Sequence, residues 1–199
     1  MTLSQASFPY EGIIFDCDGT LADSMPLHWQ AWQVVTLRHQ LHFPEDRFYA
    51  LGGVPSRDIL AVLRVEQNRP IDPLAVAREK EQEYLKLLHQ VNPIHEIVQI
   101  ARQHAGHLPM AVASGGIKSI IERVLIHLGI RDLFQAVVTS EEVQHQKPAP
   151  DIFLEAARRI GVAPERCRAY EDTDIGLQAI RAAGMEAVDV RPMRQTVQK

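Results

Sequence analysis

Cysteine is scarce in this chain of 199 residues, which has two, Cys17 and Cys167. Two thiols cannot build a disulfide framework, and no C-x-x-C pair or Cys/His spacing offers a zinc site. Both are expected as buried free thiols in a reducing compartment. Also missing is any apolar run near the ~20 residues that span a bilayer, and residues 1–10 lack a basic stretch followed by an apolar one. These absences point to the cytoplasm and away from a membrane. Excess positive charge is lacking too: 21 Lys and Arg stand against 25 Asp and Glu, a net of -4. A nucleic-acid surface or a polybasic membrane surface would need the opposite balance, with Lys and Arg clustered to meet phosphates. No internal repeat, low-complexity tract or linker stands out. What remains is 46% hydrophobic and 23% charged, enough for one large domain or a domain with a sizeable insert.

The most informative stretch is Gly12-Ile13-Ile14-Phe15-Asp16-Cys17-Asp18-Gly19-Thr20-Leu21-Ala22-Asp23-Ser24, an apolar run that stops at two acids one residue apart. Ile13, Ile14 and Phe15 suit a strand covered on both faces, and Asp-Gly breaks it into a loop. Side chains alternate along an extended backbone, so Asp16 and Asp18 are expected to point the same way. Like charges that close call for a cation or a shared proton. A solvated turn is the bland alternative. An EF-hand loop does not fit, because Gly19 is fourth rather than sixth and a strand leads in.

Beyond this run the pattern turns helical. Trp29, Trp32, Val35 and Leu37 precede a turn at residues 42–44, and helices are expected over 57–66 and 73–90, the latter capped by Asp72 with Pro73 at its first position. From residue 93 onward short apolar runs (109–113, 136–138, 167–170 and 187–190) alternate with helical stretches at 94–104, 117–128, 151–160 and 175–183. Gly129, Gly161 and Gly184 stand at expected helix ends. Alternation of this kind predicts an α/β fold: a Rossmann-like parallel sheet with helices on both sides and right-handed crossovers. The first strand joins that sheet only if residues 25–91 are an inserted all-helical cap, with 1–24 and 92–199 forming the core. Such a cap would hang over the carboxyl ends of the strands, where open α/β sheets bind ligands.

Each later run ends in polar residues: Ser114-Gly115-Gly116, then Thr139-Ser140 with Lys147-Pro148-Ala149-Pro150 beyond, then Glu171-Asp172. On parallel strands these would converge with Asp16 and Asp18. Ser114 with the amides of Gly115 and Gly116, leading into a helix at Ile117, would cradle an anion. A small-residue turn with Ser114 as helix cap is the plainer alternative. Lys147 is a point charge able to hold a phosphate beside Asp16, or an ordinary exposed lysine. Acidic oxygens at Glu171 and Asp172 favour a hard cation such as Mg²⁺.

The pieces DCDGTLADS, ASG, KPAPD and YEDTDIG, in that order and with a helical insert after the first, resemble the four motifs of the haloacid dehalogenase superfamily with a type 1 helical cap. The resemblance runs from about Tyr10 to Val190. Within the superfamily the chain is similar to the β-phosphoglucomutase-like branch, and most similar to its bacterial fructose-1-phosphatase or 6-phosphogluconate phosphatase-type members. The resemblance implies that Asp16 attacks phosphorus to form an aspartyl-phosphate, while Asp18 protonates the leaving sugar oxygen and then activates water. It implies Mg²⁺ held by an Asp16 oxygen, the Asp18 backbone carbonyl and Asp172, with Glu171 a ligand or one step behind. Ser114, Gly115 and Lys147 would bind the phosphoryl group, and the Thr20 hydroxyl would support the loop.

In His28-Trp29-Gln30-Ala31-Trp32 the His resembles one that joins the cap hinge to the acid/base Asp; a merely satisfied buried His28 is the alternative. The cap loop Leu51-Gly52-Gly53-Val54-Pro55-Ser56-Arg57 departs from the mutase pattern, which would place Lys at Gly52 and Arg near Ser56. Arg57 is either a substitute from one residue on or an ordinary helix-start arginine. Thr20 also leans toward hydrolysis. The expectation is a Mg²⁺-dependent phosphatase of a small phosphorylated sugar or sugar acid, cytoplasmic, a monomer or weak homodimer. A hexose-phosphate mutase is the alternative. A true haloacid dehalogenase would not need Asp18, Glu171 and Asp172, and a receiver-type signalling module would carry its acceptor Asp after the third strand, where Thr139 and Ser140 stand. The remaining histidines, including His104 and His107, and the charges of the cap helices read as solvated surface or helix ends.

Overall fold

The computed structural model describes residues 9–197. Five parallel strands form one sheet in the order β5-β4-β1-β6-β7: β1 (Gly12–Phe15), β4 (Met110–Ser114), β5 (Ala136–Thr139), β6 (Cys167–Glu171) and β7 (Glu186–Asp189). Two short strands, β2 (Ala22–Asp23) and β3 (Asn92–Pro93), pair antiparallel apart from it. β1 lies in the centre, with Phe15 beside Val112 on one side and Tyr170 on the other. The chain fills one half of the sheet through β4 and β5 and then crosses to β6 and β7. The carboxyl end of β1 is therefore the switch point at which a crevice opens.

The period of two along β1 sorts its side chains onto two cores. Ile13 and Phe15 join Met110, Val112 and Val137 beneath helices α5 (His95–His104) and α6 (Lys118–His127). Ile14 faces the other way, with Ala111, Ala113, Ala136 and Ala169, beneath α7 (Asp151–Ile160) and α8 (Asp174–Ala182). The alanines on that face leave room for the fully buried Phe153 of α7.

Between β2 and β3 the chain is helical: α1 (Met25–Arg38), α2 (Glu45–Ala50), α3 (Ser56–Glu66) and α4 (Pro73–Leu87). They close on a separate apolar cluster that includes Trp32, Phe43, Phe48, Leu60 and Leu63. As read from the sequence, the Asp72 side chain caps α4, accepting from the Leu74 amide over 3.0 Å. Leu37 departs from the expectation. It is 82% exposed, because a step of two residues from Val35 carries it off the face shared by Trp32 and Val35. His104 departs as well: it ends α5 but is buried, and its ring bonds the Tyr10 hydroxyl at 3.1 Å and the Ile100 carbonyl at 2.8 Å. The architecture is an α/β sheet core carrying a helical cap. No helix among the described residues is long and apolar enough to cross a membrane.

Candidate functional site

β1 ends at Phe15, so Asp16 and Asp18 sit on the loop beyond it rather than on the strand. They nevertheless border one cavity of about 250 Å³ between core and cap. The loop is wound tightly: the amides of Thr20, Leu21 and Ala22 all donate to the Cys17 carbonyl. Gly19 makes this possible, with φ at +87° and no side chain where a Cβ would stand 2.1 Å from Asp172 Oδ2.

Around Asp16 the distant pieces meet. Lys147 Nζ donates to Asp16 Oδ1 at 2.8 Å and to Glu171 Oε2 at 2.7 Å, with its side chain 1% exposed. Glu171 Oε1 accepts from the Asp172 amide, the Thr173 amide and the Thr173 hydroxyl. Thr20 Oγ1 donates to Asp172 Oδ1 over 3.2 Å. Thr20 is fully buried, and through this bond its hydroxyl serves the acidic cluster. Ser114 and Gly115 do border the cavity. The anion cradle is narrower than expected, because the Gly116 amide donates to Ser114 Oγ at 3.1 Å. Ser114 is not a helix cap either: α6 begins at Lys118, after Ile117. Its hydroxyl keeps a proton to donate.

Ligand oxygens of Asp16, Glu171 and Asp172 lie within 4.8 Å of one another. Burial, then Glu171, push the Asp16 carboxyl well above its ordinary value, although Lys147 pulls it down. The same two causes raise Asp172 to about 7, against weaker pulls from Arg194 and Lys147. Burial would also strip the Lys147 ammonium of its proton, but Asp16 and Glu171 hold it charged. The buried Lys147 ammonium and the Arg194 guanidinium, 3.7 Å from Asp172, together leave three carboxylates one positive charge short, and a hard cation with oxygen ligands fits the remainder. Burial raises both thiols, Cys17 and Cys167, so neither is a nucleophile.

Asp18 belongs to a second chain of contacts, leading into the cap. Ser24 Oγ donates to Asp18 Oδ1 at 2.6 Å, and His28 Nε2 lies 3.2 Å from the same oxygen. His28 Nδ1 in turn receives Lys80 Nζ at 2.7 Å. An ammonium has only protons to give, so Nδ1 is the acceptor and Nε2 carries the proton toward Asp18. Tyr84 stacks on the imidazole, with ring centroids 3.7 Å apart. Burial raises the Asp18 carboxyl, but His28, Ser24 and Lys80 outweigh it and hold the group at about 2.

His28 therefore does more than fill the core. Sequence reasoning missed Ser24, Lys80 and Tyr84, having read the charges of the cap helices as solvated. A signal was present: Val76, Ala77, Lys80 and Tyr84 follow the spacing of one helix face, which puts the lysine on the buried stripe of α4. Arg57 sits on the cavity wall but is exposed, with Asp58 at 3.4 Å. In the cap loop, Gly52 and Gly53 press on the core: a Cβ on Gly115 would stand 2.2 Å from the Gly53 carbonyl oxygen, and one on Gly52 would stand 3.0 Å from the Thr173 methyl.

A parallel sheet whose central strand delivers acids beneath a helical cap defines a class of hydrolase, and over residues 10–184 the chain belongs to the haloacid dehalogenase-like hydrolases. It is 44% identical to the fructose-1-phosphate phosphatase YqaB of Escherichia coli (strain K12), across 92% of this chain and 97% of that one. It is 28% identical to a phosphorylated carbohydrates phosphatase of Thermotoga maritima, over 89% of this chain and 83% of the relative. Among solved structures, β-phosphoglucomutase from Clostridium difficile superposes with a TM-score of 0.81 at 25% identity, covering 90% of this chain and 84% of its own.

Proposed function

We propose that the chain is a cytoplasmic, Mg²⁺-dependent phosphatase of small phosphorylated sugars, acting on fructose 1-phosphate or a 6-phosphogluconate-like sugar acid. The observation that carries this reading is the Lys147 ammonium 2.8 Å from the Asp16 carboxylate, inside the acidic cluster and beneath the cap. The relatives named as phosphatases, at 44% and 28% identity, support hydrolysis of this substrate class.

In the proposed reaction an Asp16 oxygen attacks phosphorus as the bond to the sugar oxygen breaks, leaving an aspartyl-phosphate. The departing oxygen takes a proton from Asp18. Asp18 then takes a proton from water as that water attacks phosphorus and frees Asp16. Without substrate Asp18 is a carboxylate, held low by His28, Ser24 and Lys80. A phosphate dianion brought beside Asp18 raises that carboxyl by like-charge repulsion, so Asp18 takes up from solvent, as substrate binds, the proton it then delivers to the leaving oxygen. Ser114 and Lys147 bind the transferring group, and Thr20 fixes Asp172.

Asp16, Asp172 and the Asp18 backbone carbonyl would hold Mg²⁺, which supplies charge neutralisation between the incoming carboxylate and the phosphate. Glu171, with both oxygens already accepting hydrogen bonds, orients Lys147 and completes the cluster. Uncatalysed monoester hydrolysis is slow enough that accelerations up to ~10²¹ are known, so these contributions must act together.

The cap loop favours hydrolysis over mutase chemistry. A lysine at Gly52 would crowd the Thr173 methyl, and Ser56 donates to Glu81 rather than presenting a cation to a second phosphate. A phosphate-release assay over a panel of sugar phosphates, with Mg²⁺ and without any bisphosphate, tests the reading. Release of inorganic phosphate is expected, and isomerisation of hexose phosphates without release would refute it.

A further inference from the structure

One cavity-lining group has no part in the proposed chemistry. Glu81 follows Lys80 on α4, its side chain is 14% exposed, and it borders the cavity that Asp16 and Asp18 share. Its hydrogen bonds fall on a single oxygen: Lys80 Nζ and Ser56 Oγ both donate to Oε1, each over 3.0 Å. Among the described residues nothing donates to Oε2. Burial would raise the carboxyl, but Lys80, His28 and Ser56 lower it by more, so the free oxygen carries charge. Among the described residues the one buried side-chain polar atom left without a partner is the Tyr84 hydroxyl, so Glu81 Oε2 keeps solvent access where Glu81 borders the cavity, and a ligand hydroxyl there can take the place of water.

The surroundings narrow what that ligand is. Met25, Phe48, Leu51, Val54 and Leu74 make most of the nearby cap wall apolar, suited to the C–H face of a carbohydrate. Arg57 and Arg78 also border the cavity, but both are exposed, and Arg57 has Asp58 beside it. A second anionic group carried to Oε2 would meet like charge at short range, whereas a neutral hydroxyl has the proton that Oε2 lacks. The neighbouring Lys80 ammonium disfavours a cationic group at the same place.

We infer that Glu81 Oε2 accepts a hydrogen bond from a hydroxyl of the leaving sugar and thereby selects neutral sugar phosphates over phosphorylated sugar acids and bisphosphates. This rests on the phosphatase reading above and chooses, within it, the fructose 1-phosphate type over the 6-phosphogluconate type. Glu81 acts as a specificity-determining residue that touches the part of the substrate remote from phosphorus.

The test is kcat/KM for fructose 1-phosphate, 6-phosphogluconate and an aryl phosphate without hydroxyls, in the parent enzyme and in Glu81→Gln. Glutamine keeps an oxygen for Lys80 and Ser56 and replaces the other with a group that donates. The ratio of fructose 1-phosphate to aryl phosphate should fall about ten- to a hundredfold, the size expected for losing a charged hydrogen bond. The ratio of 6-phosphogluconate to fructose 1-phosphate should rise. Glu81→Asp withdraws the carboxylate by one methylene, should lower the first ratio as well, and serves where the glutamine variant does not fold. Equal losses on all three substrates overturn the inference, because Glu81 would then act only through Lys80; unchanged values on all three overturn it too. A parent enzyme that cleaves the aryl ester but neither sugar phosphate overturns the sugar-phosphatase reading itself, and is told apart because the parent, not the variant, fails.

Discussion

Lys80 puts a charge on the buried face of α4, and the partners it finds there explain its place: His28 Nδ1 at 2.7 Å and Glu81 Oε1 at 3.0 Å. Its charge lowers the Asp18 carboxyl through the intervening ring. In Lys80→Met the carboxyl of Asp18 rises, so the acidic limb of the kcat/KM profile should move to higher pH, while kcat at the optimum falls about ten- to a hundredfold. A uniform loss at every pH, measured as a full pH-rate profile, would reduce Lys80 to a structural role. At this scale the sequence was legible where acids follow an apolar run, as at Asp16 and Asp172, and at Lys147 through the KPAPD piece that follows the third run. It was harder to read at Lys80 and Glu81, which sit in a stretch, Arg78 to Glu83, where five of six residues are charged. Helical spacing marks Lys80 as inward-facing, but the packing of α4 against α1 is needed to show that Glu81 is largely buried as well. Ser24 was opaque for a related reason: a serine before a helix reads as its cap, yet α1 has no side-chain cap bond and the hydroxyl serves Asp18.

At the scale of elements, the cap closes on the core through backbone. The Gly53 carbonyl fits over Gly115 only because Gly115 has no side chain. Gly115→Ala should push the cap loop off the β4 end, lowering kcat/KM about tenfold or more by misplacing the cavity wall, while thermal unfolding of the core stays cooperative. Parent-like kinetics in that variant would show that the closed loop is not the catalytic arrangement. The strands and most helices were readable because their residues obey one period each: Ile13, Ile14 and Phe15 fill a strand buried on both faces, and Asp72 with Pro73 announces α4. The pair β2 and β3, which joins cap to core, was not readable. Strands of two residues are too short to carry any period, and Ala22 meets Pro93, and Asp23 meets Asn92, only through the fold.

For the whole molecule, the decisive property is charge balance at the carboxyl edge of the sheet, where residues from positions 16 to 172 converge. Asp172 keeps its proton until about pH 7, whereas the ordinary value is 3.8. The folded chain thus binds more protons than the unfolded chain between those limits, and stability falls as pH rises through the window. A divalent cation that replaces the proton reverses the loss, so Mg²⁺ should raise the melting temperature more at about pH 8 than at about pH 5. Equal or absent shifts at both values would count against the cation cluster. The central claim is that Asp16 carries the phosphoryl group. Acid quench of the enzyme during turnover of fructose 1-phosphate, followed by mass spectrometry of its peptides, tests this most directly. One phosphoryl group is expected on the peptide containing Asp16, absent from Asp16→Asn along with turnover. A phosphoryl group on another residue, or phosphate release that continues in Asp16→Asn, would contradict the claim.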